Sequence, residues 1–245
     1  MHSADVSQTQ AVVRRLNALA PLPDTGIAAV VKAIGERVLS AGPGEDIVRE
    51  GDQPDRVRMI LSGWLSRYKT LEDGRRQIVN FLLPGDSCDA QIYLLRQMDH
   101  SIGTLTPGVY AEVDADRFEE LLTTDRTLAE AFRVETLVSM AIQREWAINL
   151  GRRLAHERVA HLLREIFERL RTVGLVEGKS CAFPITQMDL ADATGLSVVH
   201  INRTIQELRA GNLIVLRERT LTINDLDALK NLALFSPSYL HLRAA

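Results

Sequence analysis

The chain has 245 residues, is 46% hydrophobic and 25% charged, and carries a formal net charge of −3. These are globular values with enough length for one or two domains. They exclude disordered, collagen-like and purely coiled-coil chains. No apolar run reaches the roughly 18 residues of a membrane span, and Met1–Gln10 lacks the apolar core of a secretion signal. Two cysteines, Cys88 and Cys181, cannot build a disulfide framework or an all-cysteine metal site, so a reducing cytoplasm is the expected setting.

Charge is unevenly placed. From Gly151 onward there are 13 Lys and Arg against 10 Asp and Glu; the first 150 residues hold the remaining 16 against 22. A basic C-terminal part on an acidic chain points weakly to a polyanion partner.

In chain order, Val12–Leu19 and Ile27–Ile34 read as short amphipathic helices around a Pro21-Leu22-Pro23 break. Glycines at 51, 63, 74 and 85 then recur every 11 or 12 residues. Between and around them lie strand-like runs at Asp46–Arg49, Arg58–Leu61, Trp64–Lys69 and Gln77–Leu82. His100–Thr104 and Val109–Val113 read as the last strands of the series. Short, evenly spaced strands with glycine turns predict a β-sandwich, roll or barrel, and Glu72-Asp73-Gly74 predicts a hairpin turn. Arg117–Leu122 predicts a short helix, and Asp125 the N-cap of a long one reaching Asn149. On the long helix Val134, Val138, Ala141, Glu145 and Ile148 follow 4-3-4-3 spacing, which predicts a dimer seam. A boundary is expected at Asn149-Leu150-Gly151. Arg153–Val173 then predicts a helix with one apolar stripe, Val159, Leu162, Leu163, Ile166, Phe167 and Leu170. Gly174 and Gly178 open a polar loop that carries Cys181.

Residues 185–211 carry the functional signal. Thr186 caps a short helix Gln187–Thr194, Gly195 breaks it, and Ser197 caps a second helix Val198–Ala210. Ala191 is small where two helices would cross, and Ile201 would face inward. This is helix-turn-helix grammar. Leu213–Leu216 and Thr220–Ile223 around Arg217-Glu218-Arg219 predict a wing with a basic tip. On the second helix Val198, Val199, Asn202 and Arg203 are the expected base contacts: Arg for guanine, Asn for adenine, Val for a thymine methyl. Thr186, Gln187, Ser197, His200, Arg217 and Arg219 are the expected phosphate contacts.

A glycine-spaced roll, a long heptad helix and a winged helix-turn-helix together resemble the Crp/Fnr family of bacterial transcription regulators. The resemblance runs from about Leu39 to Leu229. It is strongest at Gly44–Asp52 (GEDIVREGD), Leu61-Ser62-Gly63, Leu83-Pro84-Gly85-Asp86 and the helix-turn-helix. It implies an α+β fold: a cyclic-nucleotide-binding-like β-roll at 1–124, a dimerisation helix at 125–150 and a winged helix-turn-helix domain at 151–245. It also implies a homodimer on a two-fold double-stranded DNA operator, with RNA polymerase as a further partner and no catalytic activity.

The chain departs from the family where signals are bound. Cyclic-nucleotide sensors have a Gly-Glu pair and an Arg-Ser or Arg-Thr pair where this chain has Cys88-Asp89-Ala90 and Met98-Asp99-His100. An Asp in place of a phosphate-binding cation argues against cyclic AMP. No cysteine precedes Cys88, so the iron–sulfur cluster of the oxygen-sensing branch has no ligands. No His-x-His spacing suggests a metal, and no cofactor is expected. Cys88, Asp89, Asp99 and His100 form a candidate effector pocket, and Cys181 and Cys88 are candidate redox switches. In the recognition helix Val199 stands where the family pattern has Glu, so the usual half-site is not expected. The alternative reading is an effector-binding or protein-interaction module that has lost DNA affinity.

Overall fold

The computed structural model describes residues 6–88 and 90–242. Two helices open the chain, α1 (Val6–Leu19) and α2 (Asp24–Glu36). Eight strands follow: β1 (Val38–Ala41), β2 (Asp46–Val48), β3 (Arg56–Ser62), β4 (Leu65–Thr70), β5 (Arg76–Leu82), β6 (Ser87–Cys88), β7 (Ser101–Thr104) and β8 (Gly108–Asp114). They form two antiparallel four-stranded sheets, in the orders β1-β8-β3-β6 and β2-β7-β4-β5. Val48, Ile60, Leu65, Leu82 and Ile102 from both sheets pack together as the interior of the roll. The predicted strands are all present. β1 and β6, too short or too irregular to show a period, are additions.

Two turns need glycine. Gly63 joins β3 to β4 at φ +84°, where a Cβ would lie 2.5 Å from the Pro107 carbonyl oxygen. Gly85, at φ +100°, lets the roll approach α1 so closely that a Cβ would lie 2.7 Å from the Ala11 carbonyl oxygen. That approach brings Asp86 against α1.

The helical half begins with α3 (Ala115–Thr124) and α4 (Arg126–Gly151). Asp125 caps α4 as predicted, accepting from the backbone N–H groups of Thr127 and Leu128. α5 (Ala155–Thr172) follows, then β9 (Val176–Glu177), β10 (Ser180–Ala182), α6 (Gln187–Thr194) and α7 (Val198–Ala210). β11 (Ile214–Arg217), β12 (Thr220–Ile223) and α8 (Leu226–Leu232) complete the regular elements among the described residues, with a 3₁₀ turn at Pro237–Leu240. The third sheet runs β11-β12-β10-β9.

One expectation is extended and two are corrected. The apolar stripe of α5 is buried as its spacing predicts, and burial reaches well beyond the stripe. His161, Arg164, Glu165, Glu168 and Arg169 are buried along with its apolar stripe, because the roll, α4, α7 and the C-terminal segment enclose it. Cys181 is not in an exposed loop: it lies in β10, paired with both β9 and β12, and is buried. The expected seam on α4 faces its own chain. Val138 and Ala141 are buried, Val134 is partly buried, and Glu145 is paired with Arg153 at 2.9 Å; only Ile148 is open. The exposed stripe lies one residue earlier at each step, at Arg133, Leu137, Met140, Arg144 and Ala147. One residue is about 100° around a helix, so two parallel heptad stripes coexist on α4 and only packing tells them apart.

Candidate nucleic-acid interface and sensor cavity

The helix-turn-helix is built as its sequence predicts. Thr186 and Asp189 form a reciprocal capping box at the start of α6: Asp189 N–H donates to Thr186 Oγ1 and Thr186 N–H donates to the Asp189 carboxylate. Gly195 ends α6 in the left-handed region at φ +66°. Ser197 Oγ accepts from His200 N–H and starts α7. Ala191 is buried where the helices cross, and Ile201, Ile205 and Leu208 are buried beneath α7.

The opposite face of α7 is open. Val199 is 81% exposed, and Asn202 and Arg203 are exposed beside it. Arg203 stands 3.7 Å from Glu207 on the same helix, its one ion-pair partner among the described residues. Val198 is turned half into the core, and His200 is half-buried. Gln187, Ser197, Arg217 and Arg219 are exposed. Thr186 is exposed too, but its hydroxyl and N–H are both engaged by Asp189, which leaves Gln187 as the freer group at that helix start. The wing turn holds Glu218 and Arg219 at φ +50° and +58° without a glycine, and Phe183 N–H anchors it on the Arg219 carbonyl.

Positioning residues that sequence reasoning missed hold this unit. Arg158 on α5 donates to the Thr194 carbonyl at 2.6 Å and to the Leu150 and Arg153 carbonyls, tying the end of α6 to the end of α4. Arg76 at the start of β5 donates to Asp192 and Asp189, both at 2.8 Å, and Gln77 donates to the Asp192 carbonyl. The roll therefore grips the first helix of the helix-turn-helix directly.

Between the roll and α4 lies a cavity of about 540 Å³. Of the expected pocket residues, Asp99 and His100 line it, joined by a 2.7 Å contact between His100 Nδ1 and Asp99 Oδ1. The Asp99 side chain is exposed and marks the cavity mouth, whereas His100 is buried. Cys88 is buried in the roll interior rather than on the cavity wall, and Asp89 lies outside the described residues. The cavity floor is charged and was not anticipated. Arg169 of α5 donates to Asp86 Oδ2 at 2.6 Å and to the Phe81 carbonyl at 2.7 Å, with Glu165 Oε1 at 3.3 Å. Glu135 of α4 accepts from Ser87 N–H and Oγ, and burial pushes its carboxyl up to about 7. Arg15 of α1 completes the set, with its Nε 3.7 Å from Asp86 Oδ1. The signal was present in the sequence: Arg15, Glu135 and Arg169 each fall on an inward helical stripe, where a charge needs a partner.

Both candidate redox cysteines, Cys88 and Cys181, are buried rather than open to an oxidant. Burial pushes the Cys181 thiol up to about 11, which disfavours its thiolate. Among the described residues no three His, Cys, Asp or Glu side chains converge on a point that could hold a metal ion. No helix among them is long and apolar enough to cross a membrane.

Residues 38–125 match the model of the cyclic nucleotide-binding domain, and residues 157–232 match the Crp-like helix-turn-helix domain. The chain belongs to the Crp/Fnr family. It is 32% identical to the nitrogen fixation regulation protein FixK of Bradyrhizobium diazoefficiens, over 75% of this chain and 76% of that one. It is also 32% identical to the transcriptional activatory protein AadR of Rhodopseudomonas palustris, over 71% of this chain and 72% of that one. Its fold is similar to the solved structure of FixK2 from Bradyrhizobium japonicum, with a TM-score of 0.73 at 24% identity, covering 81% of this chain and 98% of that one. This Crp/Fnr protein is thus a transcription regulator with a helix-turn-helix DNA-binding domain, and the relatives named are regulators rather than enzymes.

Proposed function

We propose that this Crp/Fnr protein works in the cytoplasm as a homodimer that reads a two-fold operator in double-stranded DNA. In this reading its N-terminal roll senses a small molecule other than cyclic AMP, and its output passes to RNA polymerase. The observation that carries the reading is the contrast across α7. One face is locked by Ile201, Ile205 and Leu208, and the other offers Val199, Asn202 and Arg203 to solvent at the start of a capped helix. Such a helix is preorganised for the major groove, with Asn202 and Arg203 facing base edges. Gln187, Ser197, Arg217 and Arg219 surround it as phosphate contacts.

The dimer seam in this reading is Leu137, Met140, Ala147 and Ile148, exposed apolar groups on a 26-residue helix, and not Val134, Val138 and Ala141. Met98-Asp99-His100 stands where the family's cyclic-nucleotide sensors carry an Arg-Ser or Arg-Thr pair, and the loss of that positioned cation disfavours a cyclic phosphate. The test is selection of random duplex DNA by the purified, reduced protein at two salt concentrations. A palindrome should be enriched, and its affinity should fall steeply as salt rises. Enrichment of no sequence at either salt would remove the DNA-reading role.

A further inference from the structure

We propose that the roll cavity takes a small organic monoanion, a carboxylate on a compact apolar body, and that Arg15 receives its charged end. The proposal rests on the sensing role given to the roll above and names the class of ligand. Arg15 is 3% exposed and forms part of the cavity wall. Among the described residues its Nε and Nη1 are buried with no hydrogen-bond partner, since the Asp86 carboxylate stands at 3.7 Å. A buried guanidinium short of acceptors is costly, and an arriving oxygen acceptor relieves that cost. Arg169 beside it differs, because Asp86, Glu165 and the Phe81 carbonyl already occupy both of its terminal nitrogens.

The rest of the wall defines the ligand body. Val79, Leu82, Ile92 and Ile142 supply apolar surface for a ring or an acyl chain, and a cavity of about 540 Å³ is sized for a small molecule. The carboxylates limit the charge. A dianionic phosphate monoester would meet the carboxylates of Asp86 and Asp99 with twice the repulsion that a monoanion meets. Glu135, with its carboxyl pushed up to about 7, can hold a proton beside it. Arg15 lies outside the stretch matched to the cyclic nucleotide-binding domain, so that match assigns it no role. The site also bridges units: Arg15 is on α1, whereas Arg169 is on α5, the helix whose Arg158 holds the end of α6. A ligand on this floor thus acts on the helix that carries the DNA-reading unit.

The experiment is calorimetric titration of the full chain, without DNA, with acetate to octanoate, benzoate and phenylacetate, each paired with its primary amide, and with cyclic AMP. One carboxylate should bind once per chain, at least about tenfold tighter than its amide, because charge-assisted bonds are the stronger ones. Arg15→Gln should weaken it by about tenfold or more, and Arg15→Lys by less. Ile142→Trp, which fills the cavity and leaves the charges in place, should abolish binding in a folded protein. Equal binding of acid and amide, full affinity in Arg15→Gln, or no binding by any carboxylate up to about 10 mM would overturn the proposal. Binding of cyclic AMP alone would overturn the ligand class and leave a sensing roll. A protein that selects an operator yet fails this titration loses only this inference. One that binds a carboxylate yet selects no operator loses the DNA-reading role instead.

Discussion

Arg203 on α7 and Arg169 on α5 are the same residue type in opposite settings. Arg203 has a side chain 67% exposed and one neighbouring carboxylate at 3.7 Å. Arg169 is 4% exposed and bonded to the roll at Asn80, Phe81 and Asp86 as well as to Glu165 on its own helix. The first holds its hydrogen-bonding capacity open for a partner outside the protein. The second has used both terminal nitrogens inside, and in doing so it locks the roll to the DNA-binding half. A reading surface must be rigid beneath and unsatisfied above. A junction must set opposite charges against each other, because a buried charge left alone is costly.

Breaking the junction should have the largest effect. Arg169→Met leaves Glu165 buried without its cation and Asp86 with only the more distant Arg15, and should cost about 3–5 kcal/mol of stability, read by urea unfolding. An unchanged midpoint would mean that the network is not holding the two halves together.

The next effect is a pH dependence. The Glu135 carboxyl, raised to about 7 by burial and opposed by Arg15, binds its proton more tightly folded than unfolded. Its contribution is therefore complete below about pH 4.5 and is lost as pH rises through 7, amounting to about 3 kcal/mol at most. In unfolding measured from pH 4.5 to 8, Glu135→Gln should lose that component of the slope. Parallel curves for the two proteins would contradict the assignment.

At the reading face the sign is reversed: binding changes and stability does not. Arg203→Ala should weaken operator affinity by about 1–3 kcal/mol and relax preference at one base position, with an unchanged melting temperature. Uniform weakening across all sequences would move Arg203 to the phosphate contacts.

The smallest effect belongs to the bridge between the regions. Arg76 is about one-third exposed, so solvent screens its pairs with Asp189 and Asp192. Arg76→Ala should cost about 0.5–1 kcal/mol of stability and speed amide exchange in α6 more than in α7. Exchange unchanged in α6 would show that the roll does not restrain that helix.

Much of this architecture could be read from residues alone because its signals are local. A capping Thr186 or Ser197, a left-handed Gly195 and a turn at Gly74 act within a few residues, and α6, α7 and the β4–β5 hairpin appear where those residues place them. The inner face of α7 follows from the spacing of Ile201, Ile205 and Leu208. The cavity floor was only half legible. Charges on inward stripes at positions 15, 135 and 169 announce buried pairs, but their partners across the junction are 48 to 89 residues away and sit in or beside the Leu83–Asp86 turn.

The sequence by itself determined the family, the α+β order of elements, the helix-turn-helix and the residues of its open face, since periodicity and capping are short-range. Only the tertiary structure decided which of two heptad stripes on α4 is exposed. It alone enclosed α5 on every side, buried Cys181 in a sheet, and joined Arg15, Asp86, Glu135 and Arg169 at one point. Those outcomes depend on which surfaces meet, and packing between distant segments is not encoded in any local pattern.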